Sequence, residues 1–127
     1  MNYVYFVIVM VLFQYIYFSM SVGKARMTYG IKAPATFGNE NFERYYRVQM
    51  NTLELLICFI PALVISSLFW SPLVMSIIGL IFFIGRIIYF KQYVANPEKR
   101  TVGFALSIMP VFILLFATIV GIIRSIL

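Results

Sequence analysis

The chain has 127 residues, of which 63% are hydrophobic and 11% charged, with a formal net charge of +6 and a mean hydropathy of +0.98. So apolar a balance excludes an ordinary water-soluble globule and points to an integral membrane protein. The chain contains no histidine, no aspartate and one cysteine, which excludes a Ser-His-Asp triad and a His- or Cys-based metal site.

In chain order, apolar runs fall at about 3–22, 52–70, 73–90 and 102–123. Each is long enough, at about 1.5 Å per residue, to cross a hydrocarbon core of about 30 Å as a helix. They are continuously apolar rather than alternating, which argues against β-barrel strands. The reading is one all-α domain over 1–127, an integral membrane four-helix bundle with helices at approximately 3–22, 40–70, 73–94 and 101–125. The first run has no basic residue before it, is too long for a signal h-region and lacks a small-residue cleavage site, so it is expected to remain as a span.

Lys24, Arg26, Lys32, Arg44 and Arg47 fall between the first two spans, and Lys91, Lys99 and Arg100 between the last two. The turn at Trp70, Ser71 and Pro72 carries no charge. Positive-inside bias then puts both polar connections in the cytoplasm and both termini opposite, across the inner membrane if the cell is bacterial. Basic residues divided between two short loops suit topology and anionic headgroups, not nucleic acid, and Lys24, Lys32, Lys91 and Lys99 are assigned no chemistry. Cys58 reads as a small buried residue, and Pro61 and Pro110 as kinks compensated by neighbouring helices.

The stretch FERYYRVQMNTLE, 42–54, carries charge directly into an apolar run. Counting about 100° per residue from Arg44, Arg47 falls at about 300°, Asn51 at about 340° and Glu54 at about 280°, all on one face. Gln49, at about 140°, lies nearly opposite Asn51. Arg44 and Arg47 are also explained as side chains snorkelling to headgroups. Asn51 and Glu54 sit one to two turns deeper, where a carboxylate is costly unless paired or lining a wet cavity. Two readings of Glu54 follow: a structural ion pair with Arg86 of the third helix, or a functional cavity.

On that third helix Arg86, Tyr89 and Tyr93 share a face by the same count, with an interfacial aromatic belt as the alternative for the tyrosines. Asn96-Pro97 stops the helix, because the residue before proline is pushed out of the helical region. The chain thereby returns Arg100 to the membrane surface. The polar end presents Arg26, Arg47, Asn51, Glu54, Tyr89, Tyr93 and Arg100, a set suited to a small molecule bearing carboxylates and an ammonium.

The strings FERYYRVQMNTLE, FIPAL and GRIIYFKQYVANPEKRTVGF resemble the MAPEG family, the membrane-associated proteins of eicosanoid and glutathione metabolism, and within it the microsomal glutathione transferase-like members. The NPEKR string and short loops look closer to prokaryotic members. The resemblance implies a homotrimer of four-helix subunits that holds glutathione between neighbours near the cytoplasmic face. It implies that Arg47, Asn51, Glu54, Tyr89 and Tyr93 of one subunit bind glutathione, that Arg26 and Gln49 reach the site from the next, and that Arg100 stabilises the thiolate. Arg44 and Arg86 are expected in structural or supporting roles. Glutathione is then a co-substrate, no metal is needed, and the second substrate is a hydrophobic electrophile or lipid hydroperoxide arriving through the bilayer, past side chains such as Phe59 and Phe104.

Leu55 and Met27 stand where the eicosanoid-forming branch carries a tyrosine and an arginine. Both departures weaken the case for specialised leukotriene synthesis and favour general glutathione conjugation. Two other classes remain open: a non-enzymatic lipid-binding protein of the same family, and a small transporter in which Glu54 and Arg86 mark a path.

Overall fold

The computed structural model describes residues 1–127. Local chemistry sets the end of each helix. Helix α1, Asn2–Tyr29, ends at Gly30, whose φ of 70° and ψ of 32° are left-handed. The amides of Gly30 and Ile31 both turn back to the Arg26 carbonyl, closing the last turn. Helix α2, Glu40–Phe69, begins with the Asn39 side chain accepting from the Phe42 amide, and Glu40 and Glu43 place negative charge in its first turn. Helix α3, Pro72–Ala95, is capped by Ser71, with a proline where no amide is needed. Asn96 stops it in an extended conformation, and a 3₁₀ turn over Pro97–Lys99 leads into α4, Thr101–Ile126.

All four helices are long and apolar enough to span a bilayer, as expected for an integral, multi-pass membrane protein. Helix α1 runs past the expected stop near residue 22, so Lys24 and Arg26 are helical rather than in a loop. The hydropathy falls there, but Lys, Ala, Arg and Met are good helix formers and the first left-handed residue comes only at Gly30. Helices α2 and α4 continue through Pro61 and Pro110. Cys58 is exposed on the outer surface rather than buried.

Helices α2 and α3 pack on each other and on both flanking helices, with α1 and α4 on opposite sides of that pair. Toward the termini-bearing end the core is Val4, Val7, Val11, Leu63, Met75 and Leu114 around a Phe59–Phe82 stack with centroids 4.0 Å apart. Phe59 is fully buried in that stack. It therefore borders no route for a substrate, contrary to expectation.

Without a hydrophobic drive between helices in lipid, close backbone approach matters, and small residues permit it. A Cβ at Gly103 would stand 2.5 Å from both the amide nitrogen and the Cα of Tyr89. These are backbone atoms, so the clash cannot be relieved by a rotamer change. Gly103→Ala should lower stability by about 1–3 kcal/mol, read as thermal unfolding in detergent, with α4 displaced from α3 beside Arg100.

Candidate functional site

At the end of the bundle away from the termini, α2, α3 and α4 enclose a cavity of about 680 Å³. Arg47 and Asn51, one helical turn apart on α2, form one wall. Tyr89 and Tyr93 on α3 form the second, their rings stacked with centroids 5.4 Å apart. Arg100, from the junction after the 3₁₀ turn, and Thr101 close the polar end. Phe104, Ala105, Ile108 and Met109 of α4 line the remainder.

The cavity thus has two chemical halves. Two guanidiniums, an amide and two phenols gather at one end, a donor set suited to an anionic polar ligand, and an apolar helix face continues toward the membrane interior. Arg100 is exposed and donates from Nη1 to the Pro97 carbonyl at 3.0 Å, which holds its head over the cavity rim. Arg47 and Tyr93 are shared with a smaller outer recess of about 300 Å³, where Glu40 and Glu43 also lie.

Behind this wall sits Arg86, fully buried. Its Nε donates to Ser107 Oγ at 2.9 Å, and its Nη1 to Asn51 Oδ1 at 2.9 Å and Thr52 Oγ1 at 3.0 Å. Its guanidinium carbon stands 4.2 Å from the centroid of the Tyr89 ring. One side chain therefore ties α2 to α4 from α3 and fixes two cavity residues, Asn51 and Tyr89. The expected Glu54–Arg86 ion pair does not form, because Arg86 turns into the three-helix seam, where neutral oxygens take the hydrogens of Nε and Nη1 and Nη2 is left buried without a partner. Glu54 is exposed and outside the cavity lining.

Arg44 donates from Nη1 to the Val94 and Ala95 carbonyls at 3.2 and 3.3 Å. It caps the C-terminus of α3 rather than reaching lipid headgroups. Arg26 and Gln49 lie away from the cavity within one chain. Arg26 donates to the Ala35 carbonyl at 2.6 Å and lies 4.9 Å from the Phe42 ring centroid. Gln49 faces α1, donating to Ser19 Oγ at 2.7 Å and Tyr15 Oη at 3.3 Å. Thr101, Ala105, Ile108 and Met109, with Glu40 and Glu43 outside, were not anticipated. On α4 the spacing was a usable signal, since Phe104, Ala105 and Ile108 fall three, four and seven residues after Thr101 and such positions share a face.

The MAPEG family profile matches residues 4–120. The chain belongs to the MAPEG family. Among its relatives, an uncharacterized protein of Synechocystis sp. is 43% identical over 108 residues, covering 85% of this MAPEG chain and 79% of its own length. Human microsomal glutathione S-transferase 2 is 35% identical over 111 residues, covering 87% of this chain and 76% of the human one. Bovine leukotriene C4 synthase is 28% identical over 111 residues, 87% of this chain and 74% of the bovine protein. The MAPEG assignment agrees with the four spans, and relatives named as a glutathione transferase and a leukotriene synthase point toward enzyme activity.

Proposed function

We propose that this protein is a membrane-bound glutathione S-transferase or glutathione-dependent peroxidase, which activates the glutathione thiol against hydrophobic electrophiles or lipid hydroperoxides. The observation that carries this reading is the meeting of Arg47, Asn51, Tyr89, Tyr93 and Arg100 at one end of a cavity whose other end is the apolar face of α4. Glutathione offers two carboxylates, an ammonium and a thiol. Arg47 would hold a carboxylate, with Asn51 and the tyrosine hydroxyls completing its polar contacts. Arg100 would lie beside sulfur and favour the thiolate over the thiol. The thiolate then attacks an electrophilic carbon, the C–S bond forming as a leaving group departs or a π bond takes the electron pair. In the peroxidase reaction it attacks the terminal peroxide oxygen, giving glutathione sulfenic acid as the O–O bond breaks and the alkoxide leaves to be protonated. A second glutathione then condenses with the sulfenic acid to give disulfide and water.

A homotrimer accounts for the residues that one chain leaves out of its own cavity. Arg26 and Gln49 lie on the α1–α2 side, and Gln49 Oε1 takes no hydrogen bond within the chain. A neighbouring copy would bring them to a carboxylate, while exposed Glu54 would meet the ammonium. Eight basic residues gather at the cavity end, which supports a cytoplasmic site with both termini opposite, across the inner membrane if the cell is bacterial.

The test is an ultraviolet difference titration of detergent-purified protein with glutathione, paired with calorimetry. A saturable thiolate band with stoichiometric heat is expected. Absence of both would remove the glutathione reading and favour the lipid-binding member of the family. Arg47→Ala should weaken glutathione binding by about 10–100-fold, the loss of one charge-assisted contact, measured by the same calorimetry.

A further inference from the structure

Lys24 and Lys91 take no part in the Arg100 cavity, and no acidic side chain of the protein neutralises them. Of the four acidic residues, Glu40 and Glu43 lie in the outer recess with Arg44 and Arg47, Glu98 is in the 3₁₀ turn and Glu54 is exposed on α2. Both lysines are exposed, and each lines one of two joined spaces beside α1. No acidic side chain lines either space.

The first space is a groove of about 560 Å³ between α1 and α3, bedded by Met10, Phe13, Phe18, Phe83 and Phe90, with Lys91 in its lining. Phe18 and Phe90 stack at 4.9 Å, and Tyr17 meets Phe90 edge-on at 6.0 Å. Tyr17 and Phe90 also line the second space, a recess of about 360 Å³ that holds Ser21, Lys24, Thr28, Tyr29 and Tyr45. The apolar bed therefore passes directly into a basic, hydroxyl-lined end. Along α1 the step from Met10 to Lys24 rises about 21 Å, half of a bilayer that is about 40–45 Å thick with its headgroups. The joined space is one leaflet deep, with its cations at headgroup level. Two of its hydroxyls have a fixed sense: Ser21 Oγ donates to the Tyr17 carbonyl at 2.9 Å and Thr28 Oγ1 to the Lys24 carbonyl at 3.0 Å. Each has spent its single hydrogen and offers lone pairs. A ligand that satisfies this end brings negative charge for the lysines and hydrogen-bond donors for the oxygens.

We propose that the two spaces together bind one anionic glycerophospholipid whose headgroup carries free hydroxyls, as that of phosphatidylglycerol does. The phosphate lies between Lys24 and Lys91, the headgroup hydroxyls donate to Ser21 and Thr28, and an acyl chain lies on the phenylalanines. Phosphatidylcholine cancels its own phosphate charge and brings no donor. Phosphatidylethanolamine brings donors but sets an ammonium beside two lysines. A bare fatty acid fills the bed and leaves the hydroxyl-lined end empty. A second copy of the chain, itself at a net charge of +6, would bury both lysines against a basic surface. The assignment needs no thiol and uses none of the Arg100 cavity residues, so it stands apart from the glutathione reading.

The experiment is native mass spectrometry of delipidated, detergent-purified protein offered dioleoyl phosphatidylglycerol, phosphatidylmethanol and phosphatidylcholine, which share acyl chains and differ in headgroup. Phosphatidylglycerol should fill one site per chain and bind about tenfold or more tightly than phosphatidylcholine, the effect of two lysines on one anion. Phosphatidylmethanol keeps the charge without the hydroxyls and should bind about three- to tenfold more weakly than phosphatidylglycerol. These arms use the wild-type protein and do not depend on a variant folding. Lys24→Gln combined with Lys91→Gln should bring phosphatidylglycerol down to the phosphatidylcholine level while thermal unfolding in detergent stays unchanged. Equal binding of phosphatidylglycerol and phosphatidylcholine by the wild type, or full phosphatidylglycerol binding by the double variant, overturns the proposal. Phosphatidylmethanol binding as tightly as phosphatidylglycerol overturns it too, since the hydroxyls would then recognise nothing. So does a wild type that takes up no lipid while an amine cross-linker joins Lys91 of two chains, which would assign the groove to a second copy.

Discussion

Replacement of Arg100 by alanine should abolish the thiolate band of bound glutathione and reduce turnover at pH 7 by about 10–20-fold, while the dissociation constant changes by less than about threefold. A free cysteine-type thiol has a pKa of about 8.5, so only a few per cent is thiolate at neutral pH. Each unit by which a nearby cation lowers that value requires about 1.4 kcal/mol of preference for the thiolate form. Arg100 lines the cavity and spends only its Nη1 on the Pro97 carbonyl, leaving its charge available to sulfur. On the proposed reading, binding is carried mainly by Arg47 and its neighbours on the other walls, so affinity and activation should separate. The sign of the pH dependence follows: without Arg100 the bound thiol deprotonates near its ordinary range, and turnover of the variant should climb toward wild type as pH rises through about 8–9. Wild-type turnover by Arg100→Ala at pH 7 would remove Arg100 from thiol activation.

Arg86 should divide stability from binding in the opposite way. It is among the largest fully buried side chains of the protein, and all its hydrogen-bond partners are neutral oxygens, on Asn51, Thr52 and Ser107. Arg86→Ala leaves a void at the junction of α2, α3 and α4 and should cost about 3–5 kcal/mol, seen as an early thermal transition in detergent. Arg86→Met fills most of that space without a buried charge, and such replacements are often close to neutral. Thr52 and Ser107 keep their own donations to the Val48 and Gly103 carbonyls in this variant. Asn51 loses the donor that orients it and Tyr89 its stacked cation, so glutathione binding should weaken by about tenfold even where the fold survives. Normal binding by a well-folded Arg86→Met would limit Arg86 to holding the helices together.

The family and the four spans were legible without coordinates, because hydropathy and motif spacing are properties of consecutive residues. So was the stop at Asn96-Pro97, where the covalent geometry of proline restricts the residue before it and the structure indeed shows Asn96 extended. The angular count placed Arg47 and Asn51 on one face of α2, and Tyr89 and Tyr93 on one face of α3, and the fold turns both faces into a common cavity. Where the reading departed from the fold, the deciding quantity was a neighbour rather than a period. The end of α1 was set by the left-handed Gly30 and not by the fall in hydropathy at Lys24.

Opposite charges suggested Glu54 for Arg86, yet the guanidinium turned inward, where three oxygens on two helices take its Nε and Nη1 hydrogens and its Nη2 stays buried without a partner, while Glu54 lies on an outer face. Phe59 and Phe104 are equally aromatic and equally placed in apolar runs, but one is locked in the core and the other lines the cavity. The amino-acid sequence by itself determined which residues share a face of each helix, since that follows from 3.6 residues per turn. Only the tertiary structure decided what each face meets, because interhelical contacts join residues far apart in the chain and depend on how closely glycines such as Gly103 let the backbones approach.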